Sequence, residues 1–366
     1  MKPLARRQRK QSVQIPLARI NALGTAVPDH DIHRAFIDWA EPRVSDPREA
    51  ALFARMAARS GIEHRYSVLP KGADGGSPVA PGGFYALDPL PSTSARMALY
   101  ARFAPDLAMR AIGTLGPLGG ITHLVVASCT GFVAPGIDQL IAARLGLSPS
   151  VERLLIGFMG CYAAITALRS ARHIVRSDPA ARVLVVTVEL STLHLQPETA
   201  LEPLLAMLQF GDGAAAALVT AEAPGLAIDD PFATTLPDSG ELIRWDIGDQ
   251  GFAMHLSGEV PGRIAETLRD PAFRDALTGK REAATIDAWA VHAGGRSILD
   301  AVSHGLDLAP DALSVSREVL RQFGNMSSST LMFALSDFMD QRPESGVALA
   351  FGPGLAAEGF GFHWTD

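Results

Sequence analysis

The feature that most constrains this chain is a cadence of short, uninterrupted apolar runs alternating with stretches of helical periodicity. The run ARVLVVTVE (181–189) has no polar face, and strands of that kind lie in sheets covered on both sides. ITHLVVAS (121–128) and GAAAALVT (213–220) read the same way. Between them, GIDQLIAARLGL (136–147) and CYAAITALRSARHIVRSDP (161–179) carry apolar residues at helical spacing, the second closed by Asp178-Pro179. A second pass follows. ATIDAWAVH (284–292) reads as a strand and RSILDAVSHGL (296–306) as a helix. SSSTLMFALSDFMDQ (327–341) is a helix whose opening serines suit an N-cap, and SGVALAFGPG (345–354) is a buried strand ending in a turn. Strand–helix alternation over the whole length predicts an α/β architecture. The two passes predict an internally duplicated fold cut near 221–231, with halves at 16–221 and 222–366. Residues 70–93, rich in Gly, Pro and Ser, read as a long surface excursion.

Composition removes several classes of function. Hydrophobic residues make up 48% of the chain and charged residues 19%, which suits a large core and excludes a disordered chain. A net charge of −7 gives no reason to expect a nucleic-acid partner or insertion in a membrane. Residues 1–15 are a basic arm whose charges, Lys2, Arg6, Arg7, Arg9 and Lys10, lie in the first ten residues; the strand-like QSVQIPLARINAL follows those ten, and no apolar run of signal-peptide length does. A cytoplasmic location is expected, where thiols stay reduced. There are two cysteines, Cys129 and Cys161, too few for a disulfide framework and without the spacing of a zinc site. They are inert buried thiols or one of them is a nucleophile.

Three segments carry chemistry. Cys161 lies in IGFMGCYAAITALRSAR, where Gly160 permits a tight approach and a helix begins beside the cysteine. The positive end of a helix favours the thiolate, so a lowered thiol pKa is expected. His292 ends an apolar strand and is followed by Gly294 and Gly295, at the kind of strand end where ligands gather in α/β sheets. Asn325, in QFGNMSSST, occupies a glycine-bearing turn before a helix. The turn Phe351-Gly352-Pro353-Gly354 ends another strand and lets backbone pass close to a ligand. No P-loop, HExxH or strand-borne GxGxxG is present. Cys, His and Asn supply a nucleophile, a proton-handling partner and a polar orienting group. Papain-like proteases use the same three types, but here the cysteine is mid-chain and no secretory signal accompanies it.

Six segments in this order, SCTGFVAPGIDQLIAARLGL, GCYAAITALRSA, LQFGDGAAAALV, VHAGGRSILDAV, FGNMSSST and AFGPGL, resemble those of a type III polyketide synthase of the chalcone and stilbene synthase kind. The resemblance runs from about residue 16 to the C-terminus. It implies a thiolase-like fold of internally duplicated αβαβα layers with two mostly buried mixed sheets, and a homodimer. It implies iterative decarboxylative condensation of malonyl-CoA onto an acyl-CoA starter, with Cys161 as nucleophile and His292 and Asn325 stabilising the enolate. Coenzyme A thioesters are then the substrates, and no metal or redox cofactor is needed.

The resemblance places further residues by motif. Phe210 matches a gate between the CoA tunnel and the reaction chamber, and Met254 stands where the gate's second phenylalanine is usual. Cys129, Thr130, Ser191, His194, Trp245 and Ser327 match chamber positions, Ala134 one that reaches into the neighbouring subunit. Gly352, Pro353 and Gly354 match the turn beside the nucleophile, and Arg55 and Arg59 match residues that meet the phosphates of coenzyme A. The SCTGF wording, Met254 and Trp245 look bacterial, which implies a fatty acyl starter and an alkylpyrone or resorcinol-type product. The alternatives are a single-step ketoacyl synthase of the same fold, a Cys-His-Asn thioester or peptide hydrolase, and a silent CoA-binding homologue.

Overall fold

The computed structural model describes residues 16–72 and 76–366; the basic arm of residues 1–15 lies outside them. Nine strands make one mixed sheet, in the order Ala288–Val291, Gly346–Gly352, Ala356–Thr365, Gly225–Thr235, Arg19–Ala26, Asp212–Thr220, Val183–Leu190, His123–Ser128, Glu152–Gly157. The duplication is visible in the pairing. Arg19–Ala26, Asp212–Thr220, Val183–Leu190 and His123–Ser128 are joined antiparallel, antiparallel and parallel. Gly225–Thr235, Ala356–Thr365, Gly346–Gly352 and Ala288–Val291 repeat that pattern. The two sheets expected from the sequence are therefore joined into one. The seam is narrow, Arg19 against Ala227 and Ile20 against Leu226.

Alternation along each strand sorts side chains into layers, because successive residues face opposite sides of a sheet. From Val183–Leu190, Val183 and Val185 enter a central core, while Leu184, Val186, Val188 and Leu190 enter an outer one. The central core also takes Ala348 and Ala350 from the second half, and holds the helices Ala163–Ser177 and Ser329–Gln341 between the two half-sheets. The helix Thr93–Gly113 covers the first half-sheet, and the helices Val260–Arg269 and Arg296–Leu306 cover the second. The result is αβαβα.

Strand polarity then fixes where the chemistry gathers. His123–Ser128, Glu152–Gly157 and Val183–Leu190 run parallel, so Cys129, the turn leading to Cys161, and Ser191 emerge at one end. In the second half, Ala288–Val291 and Gly346–Gly352 run parallel and deliver His292 and the Gly352-Pro353-Gly354 turn.

Two expectations need correction. The serines opening Ser329–Gln341 make no side-chain cap. Ser328 Oγ donates to Glu189, and Ser329 Oγ donates to Thr187 and the Gly213 carbonyl, so these hydroxyls bind the helix start to the neighbouring strands instead. The 70–93 excursion is not wholly superficial: Tyr85 within it is buried, and Tyr85 Oη donates to the Thr192 carbonyl at 2.8 Å.

Candidate active site

Cys161 sits in a 3-10 turn, Gly160–Tyr162, that runs into the helix Ala163–Ser177. Gly160 has φ +73°, and a Cβ there would fall 2.4 Å from Cδ of Pro353. On Gly352 a Cβ would stand 2.8 Å from the Tyr162 ring and 3.3 Å from the Cys161 nitrogen. Two glycines thus let the Gly352-Pro353-Gly354 turn press against the backbone of Cys161 and leave space beside its N–H.

Asn325 is buried, and both ends of its amide are engaged. Its Nδ2 donates to the Gly294 carbonyl at 3.1 Å, and its Oδ1 accepts from the Ser327 N–H at 2.8 Å. The second of these holds Ser327 at φ +48°, a left-handed conformation in which its hydroxyl lies 3.8 Å from Cys161 Sγ and 3.2 Å from Cys129 Sγ. Side-chain hydrogen bonds from Ser327 and Asn325 both favour the Cys161 thiolate. His292 is buried, and its ring folds back so that a Cβ on Gly294 would lie 3.5 Å from Nε2. Cys161, Asn325, Gly294 and His292 are therefore contiguous. Neither ring nitrogen of His292 has a hydrogen-bond partner among the described residues.

The expected lowering of the thiol pKa is reversed by burial. Desolvation pushes Cys161 up to about 12, and it pushes His292 down to about 3. The helix start alone does not overcome the loss of water.

Behind the thiols lies a residue that sequence reasoning missed. Glu189 is fully buried and accepts from Cys129 N–H at 3.0 Å, Cys129 Sγ at 3.4 Å, Thr130 Oγ1 at 2.9 Å and Ser328 Oγ. The signal available was an acidic residue ending an otherwise apolar run, VLVVTVEL. Its charge raises the pKa of both thiols, although for each of them burial is the larger cause.

The other predicted residues divide into three groups. Ser191, His194, Phe210, Trp245 and Met254 line one cavity of about 130 Å³. Phe210 links it to the triad, for its backbone bridges that of Asn325. His194 is held neutral: Nε2 faces the Thr130 carbonyl at 2.7 Å, Nδ1 accepts from the Phe252 N–H at 3.1 Å, and burial lowers its pKa to about 3. Cys129, Thr130 and Ser327 do not line that cavity; they belong to the Glu189 cluster beside Cys161. Ala134 is exposed, beyond a cis peptide to Pro135, and lies outside its own chain's cavity. Arg55 and Arg59 are exposed at the end of the helix Pro47–Ala58, away from the cavity. The Arg59 carbonyl accepts from Arg296, which opens the helix after His292.

Comparison with known proteins agrees with this geometry. Residues 5–223 match the N-terminal domain of chalcone and stilbene synthases and residues 227–364 the C-terminal domain. The chain is 33% identical to bisdemethoxycurcumin synthase of Oryza sativa, over 100% of this chain and 96% of that protein. The crystal structure of PKS-I from the brown alga Ectocarpus siliculosus superposes with TM-score 0.87 and 30% identity, covering 97% of this chain and 100% of that one. The C-terminal type III polyketide synthase domain of Steely1 from Dictyostelium superposes with TM-score 0.86 and 26% identity, over 96% and 100%. These relatives are plant, algal and amoebal, and lend no support to a bacterial type. The chain belongs to the chalcone and stilbene synthase family, the type III polyketide synthases, which are malonyl-CoA-dependent condensing acyltransferases.

Proposed function

We propose that Cys161, His292 and Asn325 carry out iterative condensation of malonyl-CoA onto an acyl starter, with cyclisation to an alkylpyrone or resorcinol-type product. The observation that carries this reading is the buried, unpartnered imidazole of His292 beside an asparagine that already reaches the thiol. An orphaned buried polar group costs about 1–3 kcal/mol, a cost that a reacting partner in the cycle offsets.

In the first step the Cys161 proton passes to His292, and the thiolate attacks the starter thioester. The oxyanion faces the Cys161 N–H, in the space left beside Gly352. The carbonyl re-forms, the C–S bond to coenzyme A breaks, and the departing thiolate takes the proton from His292. Malonyl-CoA then loses carbon dioxide, and the electron pair of the broken C–C bond moves onto the thioester oxygen. His292 and Asn325 donate hydrogen bonds to it there. The enolate carbon attacks the acyl-Cys161 carbonyl, a C–C bond forms, and the thiolate leaves. The lengthened chain, now on coenzyme A, is transferred back to Cys161 for the next round.

The half at 16–221 supplies the nucleophile, and the half at 222–366 the histidine and asparagine. Arg55 and Arg59 face solvent, Arg59 with its carbonyl bound by Arg296, and would meet the phosphates of coenzyme A. No metal or redox cofactor enters these steps. A homodimer is supported by the edge strand Glu152–Gly157, which exposes Leu154 and Leu155 near the exposed Phe158. Exposed apolar edges are covered in stable proteins. A cytoplasmic location suits a reactive thiol, and among the described residues no helix is long and apolar enough to cross a membrane. Incubation with a panel of acyl-CoAs and malonyl-CoA, read by mass spectrometry, tests the reading. Products with two or more extensions are expected; a single extension would favour a ketoacyl synthase, and acyl-CoA cleavage without malonyl-CoA consumption a hydrolase.

A further inference from the structure

We propose that Tyr85 and Val79 form the end wall of the starter site and limit the starter to a short acyl group, of about six carbons or one aromatic ring. The inference rests on the reading of Cys161 as acyl acceptor. It narrows the fatty acyl starter expected from the sequence.

The cavity behind Phe210 is assigned to the starter because Phe210, which lines it, is tied through its backbone to Asn325; Cys161, His292 and Asn325 themselves stand outside its lining. Its walls are mainly apolar: Phe36, Leu69, Val79, Met207, Trp245 and Phe252. Its volume is about 130 Å³. An apolar cavity of roughly 150 Å³ holds one benzene, so this one fits a single ring or an alkyl tail of similar bulk. A twelve- or sixteen-carbon tail needs more room than the cavity provides.

Beyond the wall there is further space. A surface groove of about 770 Å³ is lined by Trp39, Leu87, Leu90 and Pro197, and it shares Val79 and Tyr85 with the cavity. Those two side chains, from the 70–93 excursion, separate the two spaces. Tyr85 is only 7% exposed, and the bond from its hydroxyl to the Thr192 carbonyl anchors it to the segment that carries Ser191 and His194. Removing the ring would join the cavity to this groove, where a longer tail could lie along Trp39, Leu87, Leu90 and Pro197, with Arg43, Asp88 and Gln250 on its remaining wall.

The test is a chain-length profile. Acyl-CoAs from butyryl to palmitoyl, with benzoyl-CoA, are extended with malonyl-CoA and compared by kcat/KM and product mass. The wild-type chain should favour hexanoyl- or benzoyl-CoA over palmitoyl-CoA by at least about tenfold, the discrimination of a steric wall in an apolar pocket. Tyr85→Ala should move the preference to longer starters, and Val79→Ala should move it the same way by less. A merely structural role for Tyr85 would depress all starters equally and overturn the assignment, as would a wild-type chain that uses palmitoyl-CoA as well as hexanoyl-CoA. If Tyr85→Ala fails to fold, the wild-type profile and Val79→Ala decide the matter. Decarboxylation of malonyl-CoA is followed in parallel. Its absence together with failure of every starter would overturn the reading of Cys161 and the length limit with it; its presence with the wrong length preference would overturn the limit alone.

Discussion

The hydroxyl oxygen of Ser327 lies 3.8 Å from the sulfur of Cys161. It also lies 3.2 Å from the sulfur of Cys129, so one serine stands between the two thiols of the chain. The thiols are otherwise placed differently. Cys129 is buried against Glu189, whereas Cys161 is partly accessible beside the Gly352-Pro353-Gly354 turn. Cys161→Ala should abolish acyl-enzyme formation, seen as loss of the mass adduct after incubation with an acyl-CoA. Cys129→Ser keeps a hydroxyl to meet Ser327 and Glu189, and should retain the adduct. Acylation that survives in Cys161→Ala and disappears in Cys129→Ser would exchange the two roles.

In the proposed mechanism the thiolate at Cys161 is conditional on His292. Burial pushes the thiol up to about 12 and the imidazole down to about 3, so neither charge is stable alone near neutral pH. Opposite charges in contact within a low-dielectric site offset that penalty. In His292→Gln the counter-charge is gone, and the upward push of burial is opposed by the hydrogen bonds from Ser327 and Asn325. Alkylation by iodoacetamide, which needs the thiolate, should then show a midpoint well above the free-thiol value of about 8.5. The wild-type midpoint should lie lower. Coincident profiles would mean that His292 does not pair with the thiol.

Glu189 acts on the same thiol with the opposite sign. Its negative charge raises the Cys161 pKa, so Glu189→Gln should lower it and speed alkylation at a fixed, mildly alkaline pH. The substitution also places an amide N–H₂ where Cys129 N–H, Thr130 Oγ1 and Ser328 Oγ donate. A buried donor left facing donors costs about 1–3 kcal/mol, to be read as a fall in the denaturation midpoint. Slower alkylation in a folded Glu189→Gln protein would show that the carboxylate supports the thiolate instead of opposing it.

How much of this was legible in the sequence follows from what kind of signal each residue leaves. The helix Arg296–Leu306 was delimited to the residue, because its apolar spacing begins after two glycines and has no competing pattern. The strand at Ala288–Val291 was read too long, because Ala283–Thr285 forms a 3-10 turn despite its strand-like composition. Cys161, His292 and Asn325 stand out in the sequence as candidates because each lies within two residues of a glycine near the end of an element. Glu189 does not: a carboxylate in a run of valines leaves no periodic trace, and its role comes from Cys129, Thr130 and Ser328, distant in sequence. The serines at 327–329 looked like caps for the same reason, since their hydrogen-bond partners lie across the fold. The direction of the thiol shift was misread because a helix start is local and legible, while the burial that outweighs it is tertiary.

The closest packing at the site gives the last prediction. Gly160 combines φ +73° with the pyrrolidine ring of Pro353 in the place a side chain would occupy. A non-glycine residue in the left-handed region costs of order 1–3 kcal/mol, and a proline ring has no flexible end that could move aside. Gly160→Ala should therefore displace the Gly352-Pro353-Gly354 turn from the Cys161 N–H. Loss of a preorganised donor to a tetrahedral intermediate typically costs about 10²–10³ in kcat. Turnover with malonyl-CoA should fall by that order even in protein shown by circular dichroism to be folded, and acyl-enzyme should form slowly. Because His292 and Asn325, the proposed enolate donors, are tied through Gly294 and not through the contact of Gly160 with Pro353, malonyl-CoA decarboxylation should be hit less than acyl transfer. A folded Gly160→Ala protein with wild-type kcat would remove the turn from the oxyanion site and leave its contact with Gly160 a matter of packing alone.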